Sequence, residues 1–311
     1  MLHLGRLRML SELGRRGTIA QTAAALGYTP SAVSQQLALL ERETATALLE
    51  RVGRGVRLTP AAEDLVRHAE AAMAELERAE ADLAAAQPEL RGTLRVASFQ
   101  SVVLALAPAA LDILRGRHPH LDVEVMQREH EEAYRGLLAH EFDLILGEEY
   151  PDVPARRRDG IDRANLLSDP LCLVLPSEGP LSRRPERLAD LSDAPWALDP
   201  EPMSTGRWAR AVCREAGFEP RVRFESPDPL LHAHLVRTGH AVAFIPALLA
   251  DPHLAGLTLA ELPDDPHRVL YTAVRSGRAA HPAVGAFRAA LSEALEARRP
   301  TPPEWGAVLA G

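Results

Sequence analysis

The chain has 311 residues, 46% apolar and 25% charged, with a formal net charge of −8, which suits a globular protein large enough for two or three domains. No apolar run approaches the roughly 18 residues of a membrane span, and the N-terminus lacks the apolar stretch of a signal peptide, so the expected compartment is the cytoplasm. Cys172 and Cys213 are too few and too far apart for a zinc site or a disulfide framework, and read as buried small hydrophobes. Residues 1–60 hold eight Arg against four Glu, a net of +4, whereas the whole chain is −8, so the other 251 residues carry −12. A basic head on an acidic body suggests an anionic partner for the head alone.

In chain order, Leu4, Leu7, Leu10 and Leu13 recur every three residues and predict an amphipathic helix stopping at Gly14 to Gly17. Thr18-Ile19-Ala20-Gln21 has the form of a capping box opening a helix over Ile19–Leu26, which Gly27 closes. Thr29 then caps a further helix with Pro30 at its first position. Helix, short Gly-containing turn, helix is the layout of a helix-turn-helix.

On the second of these helices Val33, Leu37 and Leu40 share a narrow arc, while Ser31, Gln35, Ala38 and Arg42 fall opposite and Ser34 lies at the edge. A purely structural helix has little use for a serine–glutamine patch around its first turns. A DNA major groove admits a helix whose N-terminal residues reach base edges, and an amide offers adenine paired donor and acceptor bonds. Gln35 is the favoured base reader and Ser31 and Ser34 come next. Gln36, on the flank, suits a phosphate, as does the helix N-terminus at Thr29 with its free N–H groups. Arg51 to Thr59 alternates around Gly53 and Gly55, predicting a β-hairpin with Arg54 at its tip, suited to a narrow minor groove or to a phosphate. Arg42 and Arg51 complete the DNA-facing set.

Thr59-Pro60 starts a long helix. Leu65, Ala69, Ala72, Leu76, Ala79, Leu83 and Ala86 are spaced alternately four and three, an a/d register over three heptads that predicts a coiled-coil dimer helix over 61–88, ended by Pro88. From Gly92 strands alternate with helices. Strands are expected at 94–97, 123–125, 143–146, 171–175, 196–198, 222–224, 241–245 and 269–274. Helices are expected near 102–117, 131–140, 204–216, 229–238 and 283–297, with an arginine-rich connection over 156–163. This pattern implies an α/β body with parallel sheets covered on both faces. The break around 160–170 and the return strand near 270 suggest two lobes, about 92–165 with 268–297 and about 166–267. Residues 298–311 read as a frayed Pro-rich tail.

The stretches AQTAAALGYTPSAVSQQLALLERE and LLERVGRGVRLTPAAEDL resemble the winged helix-turn-helix of LysR-type transcriptional regulators, and GHAVAFIPALL resembles the family's glycine-led strand ending in Pro246. The resemblance covers nearly the whole chain. It implies a winged helix-turn-helix over 1–60, a linker helix over 61–88, and over 92–297 a periplasmic-binding-protein-like effector domain of two α/β lobes. The implied partners are double-stranded DNA with a dyad-symmetric operator, a small-molecule effector between the lobes, and further copies of the chain as dimer or tetramer. RNA polymerase is a candidate partner. The chain departs from the family pattern at Ala45 and Ala62, where glycine is usual, and at Leu49, where phenylalanine is usual. Ala45 bears on the geometry between recognition helix and wing.

Nothing in the sequence suggests an enzyme, a metal site or a cofactor: there is no GxSxG, HExxH or P-loop, and the His are scattered. His232 and His234, two apart on a helix, point away from each other. The competing reading is a small-molecule-binding module whose head serves only dimerisation. In the body, Ser98, Gln100 and Ser101 follow the first strand, Glu129 follows the second, and Glu148 and Glu149 follow the third. Ser204 and Thr205 open a helix of the second lobe, where strand ends and helix N-termini hold small polar ligands. The glutamates favour an amino acid or related amine as effector; with all of them solvated, a simple organic acid is the alternative.

Overall fold

The first helix ends within the expected Gly14 to Gly17 stretch. In the computed structural model, which describes residues 2–53, 55–151, 153 and 158–298, α1 spans Leu4–Arg16 and is closed by Gly17 in the left-handed conformation. Helix α2 (Ile19–Leu26) begins where Thr18 Oγ1 accepts the Gln21 amide hydrogen, and α3 (Pro30–Thr44) begins where Thr29 Oγ1 accepts that of Ala32. Leu10, Leu13, Val33, Leu37 and Leu40 close a core between these helices. Strands β1 (Leu49–Val52) and β2 (Gly55–Leu58) form the antiparallel wing hairpin.

The joint between α3 and the wing is where Ala45 sits, and it adopts the left-handed conformation, φ 49°. A Cβ there costs roughly 1–2 kcal/mol. The turn persists because Glu41 Oε1 accepts the amide hydrogens of Leu48 and Leu49 at 2.8 and 3.1 Å, tying the end of α3 to the first wing strand. Ala62 and Leu49, the other two departures, both pack in the head core.

Helix α4 (Pro60–Ala85), capped by Thr59, is the long linker. The body follows as β3 (Gly92–Ser98), α5 (Gln100–Ala105), α6 (Ala107–Arg117), β4 (Leu121–Gln127), α7 (His130–Leu138), β5 (Leu144–Glu149) and β6 (Ile161–Leu175). Then come β7 (Pro195–Leu198), α8 (Ser204–Glu215), β8 (Arg221–Glu225), α9 (Pro229–Arg237), β9 (Ala243–Pro246), β10 (Thr258–Glu261), β11 (His267–Arg275) and α10 (Pro282–Ala297). The one helix expected near 102–117 is two, because Pro108 lacks an N–H for the helix ladder and the chain breaks at Leu106.

The sheets are not parallel throughout. β3 runs parallel to β4 and β5, and β7 to β8, but β11 is antiparallel to both β5 and β6. The strand expected at 171–175 starts ten residues earlier. β6 leaves the expected connection at Ile161, pairs with β11 as far as Pro170, then continues into the second lobe beside β9 and β10. Its polar first half conceals it in the sequence: Asp162 pairs with Arg288 and Arg163 with Glu149, so ion pairs rather than apolar alternation cover it. β10 was also unforeseen. One lobe is built around Leu94, Val96, Leu144 and Phe287, the other around Leu173, Trp196, Trp208 and Phe244.

The linker helix has two different faces. Leu65 and Ala69 pack into the head core, so these two belong to their own chain's interior rather than to a free seam. Ala72, Leu76, Ala79 and Leu83 are exposed, Leu76 at 48% and Leu83 at 70%. The other face lies on the body: Glu77 Oε1 accepts from Arg275 Nε at 2.5 Å, and a Cβ on Gly277 would stand 2.4 Å from the Ala74 carbonyl oxygen. Arg275 also donates to the carbonyls of Leu137 and Phe142, and Arg8 and Arg15 of α1 donate to those of Ala139 and Leu138. Arg298, expected in the tail, is held by the carbonyls of Ala105, Leu248 and Asp251; residues 299–311 lie outside the described residues.

Ala45→Gly removes the left-handed strain while adding unfolded-chain entropy of roughly 0.5–1 kcal/mol. The expected outcome is stabilisation of the head by about 0.5–1 kcal/mol, seen as a higher urea midpoint for the head; a lower midpoint would show that the turn is not strained.

Candidate nucleic-acid interface and ligand cleft

The start of α3 stands open to solvent. Ser31, Ser34 and Gln35 are exposed, with Arg42 a little over two turns further on and Arg51 on the wing. Thr29 Oγ1 and Ser31 Oγ are 3.1 Å apart, and Ser34 Oγ donates to the Pro30 carbonyl at 2.9 Å, leaving Ser34 chiefly as an acceptor. Gln36 differs: its Oε1 accepts from Arg6 Nε at 2.9 Å, which anchors it to α1 and leaves only its amide N–H groups to donate. Gln35 has no hydrogen-bond partner among the described residues, so both ends of its amide face outward. Arg42 and Arg51 make no ion pair among the described residues, whereas Arg57 is paired with Glu50. Arg54 lies outside the described residues. Sequence reasoning overlooked Tyr28, 54% exposed in the turn before Thr29, although a lone aromatic in that turn was visible.

The body holds a small cavity of about 60 Å³ at the junction of its lobes. Gln100, Ser101, Glu129, Glu148 and Thr205 all line it. Ser98 does not: it is buried on its strand and donates to the Phe99 carbonyl. Neither does Ser204, whose hydroxyl accepts from Arg207. Glu149 lies inside β5, one residue past Glu148 and so on the opposite face, where it pairs with Arg163.

Arg268 on β11, 2% exposed, sits at the base of the cavity. Its Nε donates to Asp169 Oδ2 at 2.8 Å, one terminal nitrogen to Glu148 Oε2 at 2.7 Å, and the other to Ser101 Oγ at 2.9 Å and to Asp169 at 2.7 Å. Asp169 Oδ1 in turn accepts the Leu248 amide hydrogen at 2.8 Å. Tyr150, which lines the cavity with Thr205, is buried, and its hydroxyl donates to Glu148 Oε2 at 3.1 Å. Burial pushes the Tyr150 hydroxyl far above its ordinary range, so it stays protonated as a donor.

Across the cavity, Asp199 precedes α8 at a turn pressed against the helix: a Cβ on Gly206 would be 2.1 Å from the Pro200 carbonyl oxygen. Burial, with Glu148 and Glu129 nearby, raises the Asp199 carboxyl to about 7. Burial and the same neighbourhood also raise Glu129 above the usual carboxylate range. On α9, His232 is 1% exposed while His234 is exposed, as their two-residue spacing predicts. Arg268, Tyr150 and Asp199 went unforeseen, and His232 was weighed only beside His234 as a metal ligand, because nothing in their local sequence marks them; the meeting of the two lobes gathers them. Both thiols are buried and burial pushes them up, Cys213 to about 12 and Cys172 further. No group of His, Cys, Asp and Glu fit to hold a metal occurs among the described residues, and none of their helices is long and apolar enough to cross a membrane.

A basic head whose α3 turns an uncharged, hydrogen-bonding face to solvent, joined by a long helix to a two-lobed body with a polar cleft, defines a ligand-responsive DNA-binding protein. Residues 4–63 match the family model for bacterial regulatory helix-turn-helix proteins of the lysR family, and residues 87–296 match that for the LysR substrate binding domain. The chain belongs to the LysR family of transcriptional regulators. It is 27% identical to the transcriptional dual regulator GltC of Bacillus subtilis, over 79% of this chain and 81% of that one. It is 28% identical to the RuBisCO operon transcriptional regulator of Allochromatium vinosum, over 94% and 96% of the two chains. Among solved structures, a full-length OxyR variant from Pseudomonas aeruginosa superposes with a TM-score of 0.67 at 18% identity, covering 94% of this chain and 95% of that one. CbnR in complex with its target DNA superposes with a TM-score of 0.52 at 22% identity, covering 94% and 100%.

Asp169→Ala leaves the buried Arg268 with Glu148 as its one remaining carboxylate. Breaking such a pair costs about 3–5 kcal/mol. A matching fall in the stability of the body in urea is expected, and a loss below 1 kcal/mol would show that Arg268 is not held as described.

Proposed function

We propose that two copies of this regulator, joined along α4, present their α3 helices to the half-sites of a dyad-symmetric operator in the cytoplasm, and that a small molecule in the lobe cleft modulates binding or transcription. The observation that carries this is the open N-terminal face of α3: Gln35 has both amide ends free, Ser31 and Ser34 flank it, and a buried arc of Val33, Leu37 and Leu40 holds the helix in place. Gln35 reads a base, with Ser31 and Ser34 next to it; Gln36, Arg42, Arg51 and the helix start at Thr29 position the helix on phosphates, and Arg54, between the wing strands in sequence, takes a narrow minor groove or a phosphate.

The exposed Ala72, Leu76, Ala79 and Leu83 on α4 support a seam between copies, since apolar residues at this spacing gain from burial against a second helix. Pairs of such dimers would make a tetramer, and contact with RNA polymerase would set activation. β11 supports a route for the effector signal. Arg268 lies in the cleft and Arg275, about 23 Å along the same strand, binds Glu77 of the linker. Peroxide sensing, which the names of other relatives carry, finds no support in this chain's two buried, high-pKa thiols.

Gln35→Ala is expected to weaken operator binding by about 1–3 kcal/mol and relax preference at one base pair, measured by gel shift on operator variants. Equal affinity of variant and wild type for operator and random DNA would remove Gln35 from the reading face. Leu76→Asp would bury a charge in the seam, so sedimentation should show loss of dimers, with operator affinity falling as the two heads cease to bind together. A variant that sediments as the wild type would rule out the α4 seam.

A further inference from the structure

We infer that the cleft takes a small organic cation, its ammonium or guanidinium head seated among Glu129, Glu148 and Asp199, with His232 as a further acceptor. This rests on the reading of the cleft as the effector site. The cavity's polar groups are mostly acceptors, and its one cation is already matched. Arg268 meets two carboxylates, Asp169 and Glu148, and a hydroxyl, so it offers an incoming anion little unpaired charge. Glu129 and Asp199 have no ion-pair partner among the described residues, and both lie within electrostatic reach of Glu148. Arg268 with Asp169 and Glu148 already carries one negative charge in excess, and Glu129 and Asp199 add to it as they ionise.

His232 adds an independent sign. Its Nε2 is buried without a partner, an arrangement that costs stability unless a ligand uses it. Burial pushes the ring's pKa below its ordinary value, which favours the neutral form at ordinary pH. With its proton on Nδ1, a neutral ring offers Nε2 as an acceptor that can take an N–H from a cationic head. The positive end of α9, which an anionic ligand would seek, is taken: Asp228 accepts from Leu230 N–H at 2.9 Å, Leu231 N–H at 3.2 Å and Gln100 Nε2 at 3.0 Å. At about 60 Å³ the space is several times the ~10–15 Å³ that one water needs, enough for a head group whose tail leaves past the exposed Glu129.

A cation seated here favours ionised carboxylates, so binding releases protons. The groups that set this linkage are Asp199 itself, Glu148 on β5, Glu129 before α7, Arg268 on β11, His232 on α9 and Tyr150. With the Asp199 carboxyl near 7, affinity for a cation should rise about tenfold from pH 6 to pH 8 and level off above.

The test is calorimetric titration of the full-length protein with cadaverine and agmatine, against 1,5-pentanediol and glutarate as neutral and anionic counterparts of cadaverine. At least one cation should bind tenfold or more tightly than both counterparts, more tightly at pH 8 than at pH 6, and tenfold more weakly to Asp199→Asn or Glu129→Gln. Binding of glutarate or pentanediol as tight as the cations, no binding of either cation at 10 mM, or cation affinity unchanged in both variants would overturn the inference. Circular dichroism of each variant separates loss of the site from loss of the fold. Gel shift of the wild type without any probe reads the proposed DNA-binding function separately, so a cleft of different chemistry and a head that does not bind operator give different results.

Discussion

Arg268 and Asp169 face each other across β11 and β6 where β6 passes from one lobe's sheet to the other's. Removing a guanidinium from water costs several kcal/mol, and geometry this close is needed to offset it. The need for full compensation reaches outward: Glu148 brings β5, Ser101 brings the start of α5, and Asp169 also holds the Leu248 amide. A single buried cation thus sets where the two lobes meet. The cleft is the space left around it, and its surplus of acceptors follows from the carboxylates gathered there.

The far end of β11 repeats the device with a different outcome. Arg275 is buried between body and linker, matched by Glu77 of α4 and by two carbonyls near the end of α7. The two arginines sit on one continuous strand between cleft and linker, across a register shift of its pairing with β6 between Leu270 and Tyr271. A shift of β11 against β5 and β6 would be felt at both. The Gly277–Ala74 approach makes the linker contact close as well as polar, and close contacts tend to have discrete alternatives rather than gradual ones. The same helix leaves its apolar stripe on the opposite side, where a second copy can cover it.

The head is held by small, separate contacts. Thr18, Thr29 and Thr59 each accept an amide hydrogen at a helix start, and Glu41 braces the turn at which Ala45 replaces the family's usual glycine. The wing therefore keeps its place beside α3 although its hinge is strained. Anchoring of Gln36 by Arg6 leaves Gln35 and its serine neighbours as the open polar face of α3.

Wherever local periodicity carries the signal, the sequence alone was enough. The helix-turn-helix, its caps and its exposed serine–glutamine face follow from spacing and capping chemistry. So do most strands and helices of the body, but not β10, the first half of β6 or the break between α5 and α6. Gln100, Ser101, Glu129, Glu148 and Thr205 were legible as residues after strands or at helix starts. Ser98 and Ser204 share that position in sequence but face elsewhere, because adjacent side chains on a strand or helix point in different directions. The antiparallel crossing of β6 and β11 was decided only in three dimensions, since the first half of β6 is polar and acquires its strand character from the partner beside it. Arg268 and Asp169 acquire meaning from that crossing, and Asp199 and His232 from the cavity beside it. Their burial, their pairing and the one nitrogen left without a partner depend on residues up to about a hundred positions away or more, which no local pattern encodes.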